Sequence, residues 1–93
     1  TQVVRQLYEQ CASTIKKSAV EIGGNAHFIV FDDADIDQAV NSAIQAKFRN
    51  GGQTCVCMRR FYIHESIYAP FIEKLTAKVS QLRVGNGLDE GTD

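Results

Sequence analysis

The stretch HFIVFDDADIDQAVNSAIQAKFRN, His27 to Asn50, decides the fold class of this 93-residue chain. Its opening HFIVF, His27–Phe31, is a continuous apolar run rich in β-branched and aromatic residues. A run without polar alternation predicts a strand covered on both faces. The pattern then changes to a helical period: Ile36, Ala39, Val40, Ala43, Ile44 and Phe48 share one face, while Asp37, Gln38, Asn41 and Gln45 fall elsewhere. Both ends of this helix are marked. Asp35 can cap the first turn with Gln38 three residues on, Lys47 and Arg49 suit the negative end of the dipole, and Asn50-Gly51 can terminate it.

Downstream, RRFYIH (Arg59–His64) reads as a second buried strand, and Ile67, Phe71, Ile72, Leu75, Val79 and Leu82 mark a second amphipathic helix. Pro70 fits only if that helix starts shortly before it, with Ser66 as the expected cap. Upstream, Val3, Val4, Leu7, Tyr8 and Cys11 have helical spacing, with Thr1 available as a cap. Ile15 to Ile22 suggests a short strand that stops at Gly23-Gly24, and the tail VGNGLDEGTD, Val84–Asp93, reads as loop or frayed end. Strand, helix, strand, helix implies parallel strands joined by a right-handed crossover. The expectation is an α/β chain with a partial, Rossmann-like parallel sheet, incomplete because about three strands do not cover both faces and both edges.

The length suits one small domain or part of one. Ten basic and eleven acidic residues leave a net charge of −1 with no block of one sign, so no footprint for nucleic acid or an anionic membrane surface is present. FIVF, Phe28–Phe31, is far too short to cross a bilayer, and the N-terminal residues do not have the sections of a signal peptide. Three cysteines at irregular spacing do not form a secreted disulfide framework. The expectation is a soluble chain of a reducing compartment, the cytoplasm or the mitochondrial matrix.

Chemistry concentrates in NGGQTCVC, Asn50–Cys57. Cys55 lies in a loop beyond a capped helix, where Gly51 and Gly52 let backbone approach a ligand closely. A thiolate nucleophile needs a lowered pKa, and Lys47, Arg49, Arg59 and Arg60 lie within a few residues. Spacing alone favours the plainer reading of Cys55 as a small buried hydrophobe. Cys11, Cys55, Cys57 and His64 are zinc-ligand types, but C-x-C matches poorly the spacing of structural zinc sites, and no metal is expected. His27 and His64 lie within apolar strand patterns, where a hydrogen-bonded histidine is the common outcome. Glu21 precedes two glycines at the end of the first apolar segment. It is either a general base aimed into a cleft or a solvated strand-end carboxylate.

Two segments change these weights together: EIGGN, Glu21–Asn25, and FRNGGQTCVC, Phe48–Cys57. They resemble the glutamate motif and the G-Q-x-C nucleophile motif of the aldehyde dehydrogenase superfamily. The likeness continues through FIVFDDADID, FYIHESIYAPFIEKL and LRVGNGLDEGT, and KFRN before GQTCVC is most similar to its succinate-semialdehyde dehydrogenase group. The resemblance implies Cys55 as nucleophile and Glu21 as base, with NAD or NADP as cofactor and a small-molecule aldehyde as substrate. It further implies Arg49 as a clamp for a distal substrate carboxylate, against the plainer reading of a helix-end cation. Ile22 matches a position whose backbone carbonyl contacts the nicotinamide amide. Cys57 matches a redox partner that can lock the nucleophile as a disulfide, which an extended chain would hold strained and easily reduced. The chain departs from the family at Val4, where glycine is usual, and at His27, where proline is usual.

By this resemblance residues 1–22 are the C-terminal remnant of the cofactor-binding domain, its last helix and strand. Residues 23–93 are the first part of the catalytic domain, with an incomplete dinucleotide site. The isolated chain is expected to be inactive, and either a homo-oligomer or association through open strand edges is expected. Two other readings stand beside the enzyme: a non-enzymatic interaction or self-assembly fragment, and a thiol redox module using Cys55 and Cys57.

Overall fold

In the computed structural model, which describes residues 1–93, five regular elements follow one another: α1 (Gln2–Ala12), β1 (Ala26–Val30), α2 (Ile36–Phe48), β2 (Met58–Ile63) and α3 (Glu65–Val79). A 3-10 turn, Arg49–Gly52, links α2 to the segment before β2. The strands form a parallel two-stranded sheet, Ala26 opposite Met58 and His27 opposite Arg60, so Arg59 is an extra residue and the register shifts at His27. This irregularity falls where the sequence departs from the resembled pattern. The ladder continues past the strands through the His64 N–H, which donates to the Val30 carbonyl at 2.9 Å.

The core is small. Val30, Val40, Ala43 and Phe71 are buried together, and Phe28, Ile36, Phe61, Ile63, Ile67 and Leu75 pack around them. Alternation along the strands turns Phe28, Val30, Phe61 and Ile63 toward α2 and α3, with the Phe28 and Phe61 rings 5.5 Å apart. His27, Ile29, Arg60 and Tyr62 point the other way and are exposed, and the His27 and Tyr62 rings meet edge on at 5.3 Å. The expected two-sided cover is therefore corrected to one side. Both helices of the strand-helix-strand-helix unit share the one cluster, so neither lies on the opposite face.

The expected strand over Ile15–Ile22 does not form; residues 16–25 have no regular structure, and Ile15 is 92% exposed at a φ of 50°. A strand exists by pairing, and no neighbour is available to this segment within the chain. The period of α1 is likewise realised as a helix with no buried residue: Val3, Leu7 and Tyr8 face outward, and Thr1 makes no side-chain cap bond. The radius of gyration is 18.7 Å, against about 12 Å for a compact chain of this length. Only the β1–α2–β2–α3 unit packs as a domain does.

The helix ends follow local chemistry. Asp35 accepts the Gln38 N–H at 3.0 Å, as the sequence predicts for the start of α2. At α3 the cap is His64 rather than Ser66: its Nδ1 accepts the Ser66 N–H at 3.4 Å and shares a hydrogen bond with Ser66 Oγ at 2.9 Å. Pro70 lies inside α3 as its sixth residue, past the first turn, so the Ser66 carbonyl is left without its helical N–H partner. Lys74 pairs with Asp37 at 2.6 Å, and Lys78 donates to Asn41, joining the exposed flanks of α3 and α2. The tail is loop, as expected, but it is closed rather than frayed. The Arg83 N–H donates to the Asp93 carboxylate at 2.8 Å, and the Asp93 N–H donates back to the Arg83 carbonyl at 3.1 Å.

Candidate functional site

The connection from α2 to β2 is built on three successive residues in the left-handed region: Asn50 (φ 53°), Gly51 (φ 61°) and Gly52 (φ 74°). Glycine adopts this conformation without steric cost, and asparagine tolerates it better than other residues. The chain is thereby turned off the helix axis straight after Phe48. Asn50 locks the reversal with its carbonyl, which accepts the Gln53 N–H at 3.1 Å, and with its side-chain amide, which donates to the Gln53 carbonyl at 3.3 Å. A Cβ at Gly52 would stand 3.3 Å from the Lys47 carbonyl oxygen.

A four-residue turn follows. The Cys57 N–H donates to the Thr54 carbonyl at 3.1 Å, so Cys55 and Val56 take the two corners. Thr54 Oγ1 and Cys57 Sγ share a hydrogen bond at 2.7 Å on the same side of the turn. The two thiols are thus separated by environment: Cys55 is exposed at the tip, while Cys57 is buried, only 1% accessible, where the chain leads into β2. Both are free. The extended backbone assumed for the Cys55–Cys57 pair is corrected to a turn. No backbone hydrogen bond outside the regular elements uses the Cys55 N–H, which stays available to a ligand.

Glu21 and Ile22 lie in the irregular segment before β1, both exposed; the strand that Glu21 was expected to end is absent. Topology nevertheless relates them to Cys55. Glu21 precedes Ala26 by five residues, Cys55 precedes Met58 by three, and Ala26 and Met58 face each other at the head of the parallel ladder. Both motifs therefore reach the sheet at the same end. Arg49, also exposed, lines a cleft of about 690 Å³ with Phe48, Asn50, Arg83, Val84 and Asp93. Neither Cys55 nor Glu21 lines that cleft. No group of three or more His, Cys, Asp or Glu side chains could hold a metal ion, and no helix is long and apolar enough to cross a membrane.

One carboxyl has a clearly displaced acidity, and it lies away from this connection. The hydrogen bond from Lys74, and then the charge of Lys74, hold Asp37 below the usual carboxylate range. Around Cys55 the sequence supplied the flanking cations and the glycines but not the Thr54 contact. A hydroxyl residue opening a four-residue turn is the signal that points to it.

The model of the aldehyde dehydrogenase family matches residues 1–93. The glutarate-semialdehyde dehydrogenase of Pseudomonas putida KT2440 is 59% identical over 92 residues, covering 99% of this chain and 19% of that protein. The NADP(+)-linked succinate-semialdehyde dehydrogenase of Escherichia coli K12 is 58% identical over 91 residues, 98% of this chain and 19% of that protein. The crystal structure of an aldehyde dehydrogenase from Brucella melitensis biovar abortus 2308 superposes with a TM-score of 0.89 at 56% identity, over 98% of this chain and 19% of the other. The chain thus spans about one fifth of the length of the proteins it matches. With the whole of its sequence matched and its fold superposed at this identity, the chain belongs to the aldehyde dehydrogenase family.

Proposed function

We propose that this chain is the nucleophile-bearing part of an NAD(P)-dependent dehydrogenase that oxidises succinate semialdehyde to succinate. Residues 1–22 belong to the cofactor domain and residues 23–93 to the catalytic domain. The observation that carries this reading is Cys55, exposed at the corner of a turn with its own N–H unused. A sulfur and a backbone donor on one residue can attack a carbonyl carbon and hold the resulting oxyanion.

The cofactor fit is partial. Ile22 is exposed, which leaves it open to the nicotinamide end, but Gly23 and Gly24 face open space rather than a formed cradle, and no helix of this chain starts from a glycine-rich loop able to hold the phosphates. When bound, a nicotinamide supplies the hydride acceptor. The residues of this chain do the rest. The Cys55 thiolate adds to the aldehyde to give a thiohemiacetal, its N–H stabilises the alkoxide, and oxidation leaves a thioester on Cys55. Glu21 takes a proton from the water that cleaves that thioester. Arg49 holds the distal carboxylate, a task for which a guanidinium fork is suited.

The test is a chimera in which this segment replaces its counterpart in the E. coli relative, assayed for NADP reduction with succinate semialdehyde. Activity is expected. Cys55→Ser should remove at least about 10³-fold of kcat, and Glu21→Gln about 10²- to 10⁴-fold. Arg49→Met should raise KM on the order of 10- to 100-fold, the weight of a charge-assisted hydrogen bond. An active Cys55→Ser chimera sinks the proposal.

A second reading has its own support. The exposed sheet face, with Ile29 59% and Tyr62 48% accessible, favours association through the open side of the sheet. Light scattering across a concentration series tests it, and a monomer at every concentration rejects it.

A further inference from the structure

We propose that Thr54 is a positioning residue, whose hydroxyl clasps the Cys57 sulfur across the turn and so leaves Cys55 as the one thiol presented outward. The inference rests on Cys55 as the reactive thiol and adds the device that singles it out from its neighbour. Four observations converge. The backbone closes the turn through the Cys57 N–H and the Thr54 carbonyl at 3.1 Å. The side chains close it a second time at 2.7 Å, the only side-chain hydrogen bond that either thiol of this turn makes. Exposure is inverted over three residues, with Val56 63% and Cys57 1% accessible. The clasp also sits immediately before Met58, which is buried at the head of β2, so the turn is anchored to the sheet at one end and left open at the tip.

Threonine suits this duty. Its branched Cβ restricts χ1, so the hydroxyl is held in one direction by its own side chain. A buried thiol, for its part, loses its water partners and gains from any hydroxyl that can reach it. The reversal at Asn50–Gly52 brings the chain to Thr54 in the direction that the turn requires, so a helix end, a left-handed triplet and a double clasp act in series to put one sulfur outside and the other inside.

The experiment is site-resolved alkylation of this chain with iodoacetamide, read by mass spectrometry at several pH values, with circular dichroism to follow folding. Unmodified protein should react at Cys55 well before Cys57. Thr54→Val keeps the shape and removes the hydroxyl, and it should raise the Cys57 rate roughly fivefold, the factor that loss of one neutral hydrogen bond makes in an opening equilibrium. Thr54→Ser keeps the hydroxyl and should restore most of the protection. Unchanged Cys57 protection in Thr54→Val would show that burial alone holds the thiol and overturns the proposal. Thr54→Ala, without γ-methyl bulk, is read in the same way. If Val and Ala both abolish folding, Thr54 is a core determinant rather than a clasp, and the proposal fails. The pH profile at Cys55 separates this inference from the one beneath it: an ordinary thiol profile undoes the activated nucleophile and leaves the clasp standing.

Discussion

Lys74 Nζ lies 2.6 Å from Asp37 Oδ1, a contact that bridges 37 positions of sequence and ties α3 to α2 outside the core. It is a surface pair, with side chains 44% and 68% accessible, so its weight is small beside that of the apolar cluster.

The pair sets a direction for pH dependence. Asp37 is held below its ordinary value of 3.8 in the folded chain, so its contribution is fully present above that value and is lost as pH falls through the lowered one. Melting curves of the natural protein and of Asp37→Asn should therefore separate slightly near neutrality and converge in acid. Curves that run parallel down to pH 2 would mean that the pair contributes nothing.

Phe71 is wholly buried at the meeting of α3, α2 and the sheet. Phe71→Ala should cost about 3–5 kcal/mol. Stability is typically ~0.05–0.15 kcal/mol per residue, so in a unit this small that loss is most of what exists. Urea titration should show little or no folded baseline, and a normal transition would remove Phe71 from the centre of the core.

The Asp35 side chain satisfies the Gln38 N–H at the start of α2. Asp35→Ala should lower stability by about 1 kcal/mol, and Asp35→Asn by less, since an asparagine oxygen can accept the same bond. Chemical denaturation of both variants checks the order, and equal losses would point to the charge rather than the cap.

Gly52 combines a φ of 74° with the Lys47 carbonyl 3.3 Å from where a Cβ would be. Gly52→Ala should cost roughly 1–2 kcal/mol from the left-handed backbone and shift the turn that follows. Gly51→Ala, at a φ of 61° with open space around it, carries only the backbone part. The Cys55 alkylation rate should change more in Gly52→Ala than in Gly51→Ala; the reverse order would place the strain elsewhere.

The parts of this fold that were legible from sequence are those whose causes are local. α2 carries its period, its Asp35 cap and its Asn50-Gly51 stop within one stretch, and all three are realised. The strands were found to within a residue, because apolar runs bounded by turns are local as well. What failed depends on partners distant in sequence. Val20 and Ile22 have a strand-like pattern and no strand to pair with, and the HFIVF run gave no sign that one of its faces would lack a cover. At the candidate site, Cys55, Arg49 and their glycines were visible as residues. The bond between Thr54 and Cys57 was not, because it exists only once the turn has brought positions i and i+3 together.

The bare edge of each strand has one more consequence, for how this chain behaves in company. An unfinished ladder is a template: its unclaimed amides and carbonyls can dock any extended peptide, and Ile29 and Phe31 add apolar grip beside β1. Crowding should then favour lateral, edge-to-edge pairing, slowed on the β2 side by the repulsion of Arg59 and Arg60.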